Sequence, residues 1–297
     1  MRANLPLAAG SLLSAATAFG TDFDVSEFVS TVASHTPATV GSILSPFAVN
    51  VTETYTISAT FCRPGHEKPD PKKENTVLIA THGLNFDRTY WDPQLDKETY
   101  SFVDWALSQN YSIFYYDRLG TGESEQVSGY VAQLSNQVAI LTELTNFGSA
   151  ISSEVVRKNK KLVDGVILTG FSYNSTHLNG AEFLEAVGGC LTPVDLFASV
   201  TTFFHDGYYD TEVARYADDH KAPFAVMELL TGHRGTDALL FSQILSGKYD
   251  FPFCMSDCDG VLGNPGASIF SKAKAFKAIT LPGRARHQLP HDDYQVI

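Results

Sequence analysis

Beyond its N-terminus the chain lacks any run of 18 or more purely apolar residues. A helix crossing a bilayer needs about 20 of them, so no integral membrane span is expected. Concentrated positive charge is also missing. Lys and Arg total 21 against 33 Asp and Glu, a formal net charge of −12. The longest basic cluster, Arg157-Lys158-Asn159-Lys160-Lys161, reads as the end of a helix, where cations meet the negative end of the dipole. Phosphate binding needs clustered Lys and Arg, so nucleic acid is not an expected partner. Metal-ligand spacing is absent too. Cys254 and Cys258 are separated by three residues, not the two usual in zinc sites. His177, His205, His220 and His233 follow no ligand pattern and read as surface, cap or core residues. There is no internal repeat and no low-complexity segment.

What is present begins with an apolar leader. Met1-Arg2-Ala3-Asn4 precedes a stretch from Leu5 to Ala18 that ends in Ala16-Thr17-Ala18, the small-x-small form cut by signal peptidase. Residues 1–18 are therefore expected to be a secretory signal, and 19–297 one domain exported to the extracellular space. Asn-x-Ser/Thr triplets at Asn50, Asn110 and Asn174 fit a glycoprotein. Asn174 is expected to stay bare, because it falls at the chemical centre described below. The even set Cys62, Cys190, Cys254 and Cys258 suggests two disulfides in an oxidising compartment, with three pairings open.

Residues 51–62 alternate, with Tyr55, Ile57, Ala59 and Phe61 on one face, which predicts a half-buried strand. A charged, proline-broken connection over 63–75 leads to a buried strand over 76–81. A helix over 100–109, a strand over 112–116, a long helix over about 134–157 and a strand over 165–169 follow. Strands alternating with helices imply a mostly parallel sheet. Leu196 to Phe204 and Phe241 to Ser246 read as further strands, and 205–240 as a small cap. Aromatic residues in and beside that cap (Phe203, Phe204, Tyr208, Tyr209, Tyr216, Phe224) suit a greasy acyl group or organic molecule, or simply the cap's own core.

Three strand ends carry chemistry. Gly170-Phe171-Ser172-Tyr173-Asn174 follows the apolar run Gly165-Val166-Ile167-Leu168 and precedes residues that can start a helix. A serine on such a turn has an exposed hydroxyl beside backbone N–H groups and a positive helix end, as a nucleophile requires. The same residues also suit an ordinary turn with a capping serine. Thr81-His82-Gly83-Leu84-Asn85 ends another strand, and its Leu84 N–H could join that of Tyr173 in binding an oxyanion, or simply belong to a plain turn. Gly247-Lys248-Tyr249-Asp250 places an acid after an apolar strand, to orient a histidine or to sit solvated. The base would be His287 or His291, with His287 favoured. The order Ser172, Asp250, then a late histidine is that of one hydrolase class.

Together these stretches resemble the α/β-hydrolase superfamily. Thr76 to Asn85 is similar to its oxyanion strand, Tyr116 to Ser124 to its Asp-Arg-x-Gly-x-Gly-x-Ser turn, Gly170 to Asn174 to its nucleophile elbow and Gly247 to Asp250 to its acid loop. In detail it looks most like secreted fungal serine hydrolases, which share the Gly-x-Ser-x-Asn elbow and a segment like Phe253-Cys254…Cys258. The resemblance implies an α/β fold: an eight-stranded, mostly parallel sheet flanked by helices, with a small cap and no cofactor. It also implies a Ser172–His287–Asp250 triad acting on small-molecule esters or related carbonyl compounds. Two positions depart from it: Arg286 stands where a glycine usually precedes the histidine, and the sequence ends six residues after His291. A catalytically impaired scaffold that binds a ligand or partner, and a lyase on the same fold, are the alternatives.

Overall fold

The computed structural model describes residues 2–12, 49–65, 73, 76–127, 129, 132, 134–144, 164–165, 167, 184–187, 190–203 and 209–225. They form strands β1 (Arg2–Leu12), β2 (Val49–Cys62) and β3 (Val77–Thr81), a helical turn α1 (Lys97–Tyr100), helix α2 (Phe102–Ser108), strand β4 (Ser112–Tyr116) and helix α3 (Leu134–Leu144). Strands β5 (Leu184–Val187) and β6 (Cys190–Pro193), helices α4 (Leu196–Phe203) and α5 (Thr211–Asp219) and strand β7 (Phe224–Ala225) follow. The fold is α/β.

One sheet has the order β1-β2-β4-β3. Strands β3 and β4 are parallel, as expected, and run in step from Val77 opposite Ser112 to Thr81 opposite Tyr116. The chain between them must cross over the sheet, and it does so through α1 and α2. Strand β2 lies antiparallel to β4 and to β1, so this sheet is mixed. Arg2–Leu12, expected as a secretory leader, is strand β1 here, with an irregularity between Ala8 and Gly10. A second sheet, β5-β6-β7, is antiparallel throughout.

Side chains alternate across a strand, and β4 shows what that does to the layers. Ile113 and Tyr115 face one core with Ala80, Val103 and Ala106, closed by Val213, Ala214 and Ala217 of α5. Tyr116, with Phe114 packed beside it, faces the other with Tyr55, Ile57 and Ala59 of β2 and Val138, Ile140 and Leu141 of α3. Both faces of the sheet are therefore covered by helix. No helix among the described residues is long and apolar enough to cross a membrane.

Three expectations are corrected. Residues 196–203 form a helix, not a strand. Their β-branched and aromatic residues favour a strand locally, but the Asp195 carboxylate accepts the Ala198 N–H at 2.8 Å and caps a helix, and Ala198 and Ser199 are buried while Phe197 is exposed. Asp164, Gly165 and Ile167 lie outside any strand, and Ile167 is 61% exposed, where a buried strand was expected over 165–169. Val166, Leu168 and Thr169 of that run lie outside the described residues. Cys62 and Cys190 carry thiols, so neither contributes a disulfide, and Cys254 and Cys258 lie outside the described residues.

Candidate active site

Because β3 and β4 are parallel and end in step, the loops after Thr81 and Tyr116 leave the sheet side by side. The carboxyl ends of strands are where open α/β sheets bind ligands. Leu84, the expected oxyanion donor, sits in the first of these loops, partly buried against the core. Among the described residues no group accepts from its N–H. The sharp bend in this loop falls at Asn85, whose φ of 66° is left-handed. Asparagine takes that conformation more readily than other residues that carry a side chain.

His82 holds the two loops together. It is 2% exposed, and its Nε2 accepts the Arg118 N–H at 3.1 Å and lies 3.3 Å from the Thr121 hydroxyl. Its Nδ1 is 2.9 Å from the Gly83 carbonyl oxygen. Burial and the neighbouring Arg118 charge push its pKa well below 6.5, against the pull of the Gly83 carbonyl. The ring is therefore a neutral bridge and not a proton shuttle. It fixes the peptide that leads into Leu84.

The second loop is braced by Asp117. Its carboxylate accepts the backbone N–H of Arg88 at 2.8 Å, the Arg88 guanidinium at 2.9 Å and the Glu123 N–H at 2.9 Å. The guanidinium also reaches Glu123 at 2.7 Å and the Ser58 hydroxyl. Gly122, at φ 53°, passes so close that a Cβ there would lie 2.4 Å from the Asp117 carboxyl carbon. The Ser124 hydroxyl donates to the Asp117 carbonyl at 2.6 Å and accepts the Ser58 N–H at 2.9 Å, which ties the loop to β2. The Gly120-Thr121-Gly122 stretch is thus bound up in structure, with its glycines serving the turn.

Segment 209–225, inside the stretch read as a cap, is fastened to the first loop. The Ala222 N–H donates to the Asn85 carbonyl at 3.1 Å, and the Gln94 N–H to the Tyr216 hydroxyl at 2.9 Å. Its helix α5 starts cleanly because Asp210 accepts the Glu212 N–H at 2.7 Å. Among the described residues two buried polar atoms of this loop have no partner, Trp91 Nε1 and Asn85 Oδ1, the latter in a side chain 3% exposed. Sequence reasoning had not singled out Asn85 for a role of its own.

Ser172, Tyr173, Asp250, His287 and His291 lie outside the described residues, as does Asn174. The structure thus contributes the Leu84 loop and its supports.

No family model and no curated protein matches the chain. Solved structures that overlap with it include a thermophilic esterase of Thermogutta terrifontis with malate bound. That protein is 16% identical over 59% of this chain and 65% of its own, with a TM-score of 0.40. A protein of Pseudomonas aeruginosa PAO1 named as a probable hydrolytic enzyme is 12% identical over 69% of this chain and 64% of its own, with a TM-score of 0.39. Homoserine O-acetyltransferase of Staphylococcus aureus is 10% identical over 77% of this chain and 71% of its own, with a TM-score of 0.34. The chain spans a little under two thirds of the length of the first two.

Proposed function

We propose that the chain is a secreted serine hydrolase of the α/β-hydrolase type, cleaving ester or related carbonyl bonds of small organic or acyl substrates. The observation that carries this reading is the Leu84 N–H, unengaged among the described residues, at the carboxyl end of β3 in a loop that His82 ties down. A donor held in place before the reaction is what an oxyanion needs, and one such donor is worth about 3 kcal/mol of barrier. In this reading Ser172 Oγ attacks the carbonyl carbon while His287 takes its proton, and Asp250 holds the imidazole. The carbonyl electron pair moves onto oxygen, facing the N–H groups of Leu84 and Tyr173. Collapse expels the alcohol, which takes the proton from His287, and water then releases the acid by the same steps.

A fluorophosphonate probe tests this directly. Covalent capture at Ser172 in the native chain, lost in Ser172→Ala, is the expected result; silence in the native chain would overturn it. Turnover of p-nitrophenyl esters of rising chain length then separates a short-acyl esterase from a lipase.

A second reading, a scaffold that binds a ligand without turning it over, is favoured by the exposed, strandless Ile167 five residues before Ser172. A serine turn needs a firm strand to push its hydroxyl outward. Reversible ligand binding without probe capture would support that reading.

A further inference from the structure

We infer that Asn85 reads a hydrogen-bond donor on the substrate, a hydroxyl close to the ester carbonyl, so that the preferred substrates are hydroxylated acyl esters. The inference rests on the hydrolase reading above.

Three observations meet at this residue. Its amide oxygen is buried and has no donor among the described residues, in a side chain 3% exposed. Native structures rarely leave such an oxygen unmatched, and each instance calls for an explanation, an ordered water or a ligand among them. Its backbone is left-handed at φ 66°, an uncommon state for a residue with a side chain and one that clusters at ligand sites. Its carbonyl accepts the Ala222 N–H at 3.1 Å, so the turn is held from the cap side as well as from β3.

Position gives the partner its chemistry. Asn85 is the next residue after Leu84, whose N–H the functional reading sets against the ester carbonyl, and adjacent Cα atoms are about 3.8 Å apart. An acceptor so near the scissile carbonyl matches a hydroxyl on the acyl chain within one or two carbons of it. A carbonyl left unmatched by a plain acyl chain is what makes a polar pocket selective.

The test compares p-nitrophenyl 3-hydroxybutyrate with p-nitrophenyl butyrate, using the full chain, Asn85→Gly and Asn85→Asp. Glycine keeps the left-handed turn and removes the amide; aspartate keeps an acceptor. The expected kcat/KM ratio favours the hydroxylated ester by about tenfold or more in the native chain. It falls to within about threefold of unity in Asn85→Gly and stays above that in Asn85→Asp. A merely structural residue would lower both rates together and leave the ratio alone. The native ratio decides even where a variant fails to fold: a value near unity, with Ser172 captured by fluorophosphonate and both esters turned over, overturns the inference and leaves the hydrolase standing. No capture and no turnover of either ester overturns both.

Discussion

The backbone N–H of Arg118 donates to the Nε2 of His82 at 3.1 Å across the ends of β4 and β3. A ring nitrogen that accepts carries no proton, so the single imidazole proton is on Nδ1, facing the Gly83 carbonyl at 2.9 Å. Two loops, joined here through residues 36 apart in sequence, are thereby set against each other by one neutral ring.

This bridge should leave a signature in stability. The folded pKa of His82 lies well below 6.5, the value it regains on unfolding, because of burial first and the Arg118 charge second. Between the two values the unfolded chain binds more protons, so stability is fully present above about pH 6.5 and declines as pH falls below it. The urea midpoint of the native chain should drop between about pH 7.5 and pH 5 by more than that of His82→Gln. Equal drops would show that the ring is not buried neutral. At neutral pH the same substitution leaves the Arg118 N–H poorly matched and should cost about 1–3 kcal/mol.

Gly122 is the position where the turn after β4 tolerates no side chain. A Cβ there meets the Asp117 carboxyl carbon at 2.4 Å, and the φ of 53° is one that alanine adopts with strain. Gly122→Ala should therefore destabilise the chain by at least about 2 kcal/mol, read as a lower melting temperature. Gly65, with nothing within 4 Å of a Cβ, is the control: alanine there should change stability by about 0.5 kcal/mol or less. Similar losses at both positions would refute the argument.

The same contrast shows what the sequence could disclose. The alternation over 51–62 and the apolar run at 76–81 named β2 and β3, though β3, expected buried on both faces, is buried only at Ala80 and Thr81, with Val77 exposed and Leu78 and Ile79 half-buried. The strand ends could be located from the same patterns, and with them Leu84. Residues 196–203 misled because valine, threonine and phenylalanine fit a strand and a buried helix alike, and the deciding Asp195 cap is a single side chain. Nothing local betrayed Asn85, whose interest is a missing partner, a property of the assembled fold alone.

The cap of α4 can be tested on that account. Asp195→Ala removes the carboxylate that accepts the Ala198 N–H at 2.8 Å. Losing an N-cap costs about 1 kcal/mol, while Asp195→Asn, which can still cap, should cost less than half of that. Denaturant melts of the two variants would distinguish them; identical losses would mean that burial of Ala198 and Ser199 alone sets the helix.

The ion pair of Arg88 with Asp117 yields the sharpest dependence on pH. Burial pushes the Asp117 carboxyl up from its ordinary value of 3.8, while the N–H groups of Arg88 and Glu123 and then the Arg88 charge hold it down. Asp117 is almost wholly enclosed, whereas its second neighbour Glu123 is exposed. Arg88→Met takes away the charge and one hydrogen bond, so the folded carboxyl titrates higher still. An acid whose folded pKa is raised contributes its stability below the unfolded value and loses it as pH rises through the folded one. The variant should thus be weaker than the native chain by about 2–3 kcal/mol near neutrality, where it buries an unmatched charge. Near pH 4 the gap should narrow to about 1 kcal/mol, because the carboxyl is then largely protonated in the variant. Glu123→Gln, at the exposed arm of the same guanidinium, should cost about 0.5 kcal/mol or less at either pH. Unfolding titrations at both pH values check the three together: a gap for Arg88→Met that widens toward acid would mean that the guanidinium supports Ser58 and β2 and not the buried carboxylate.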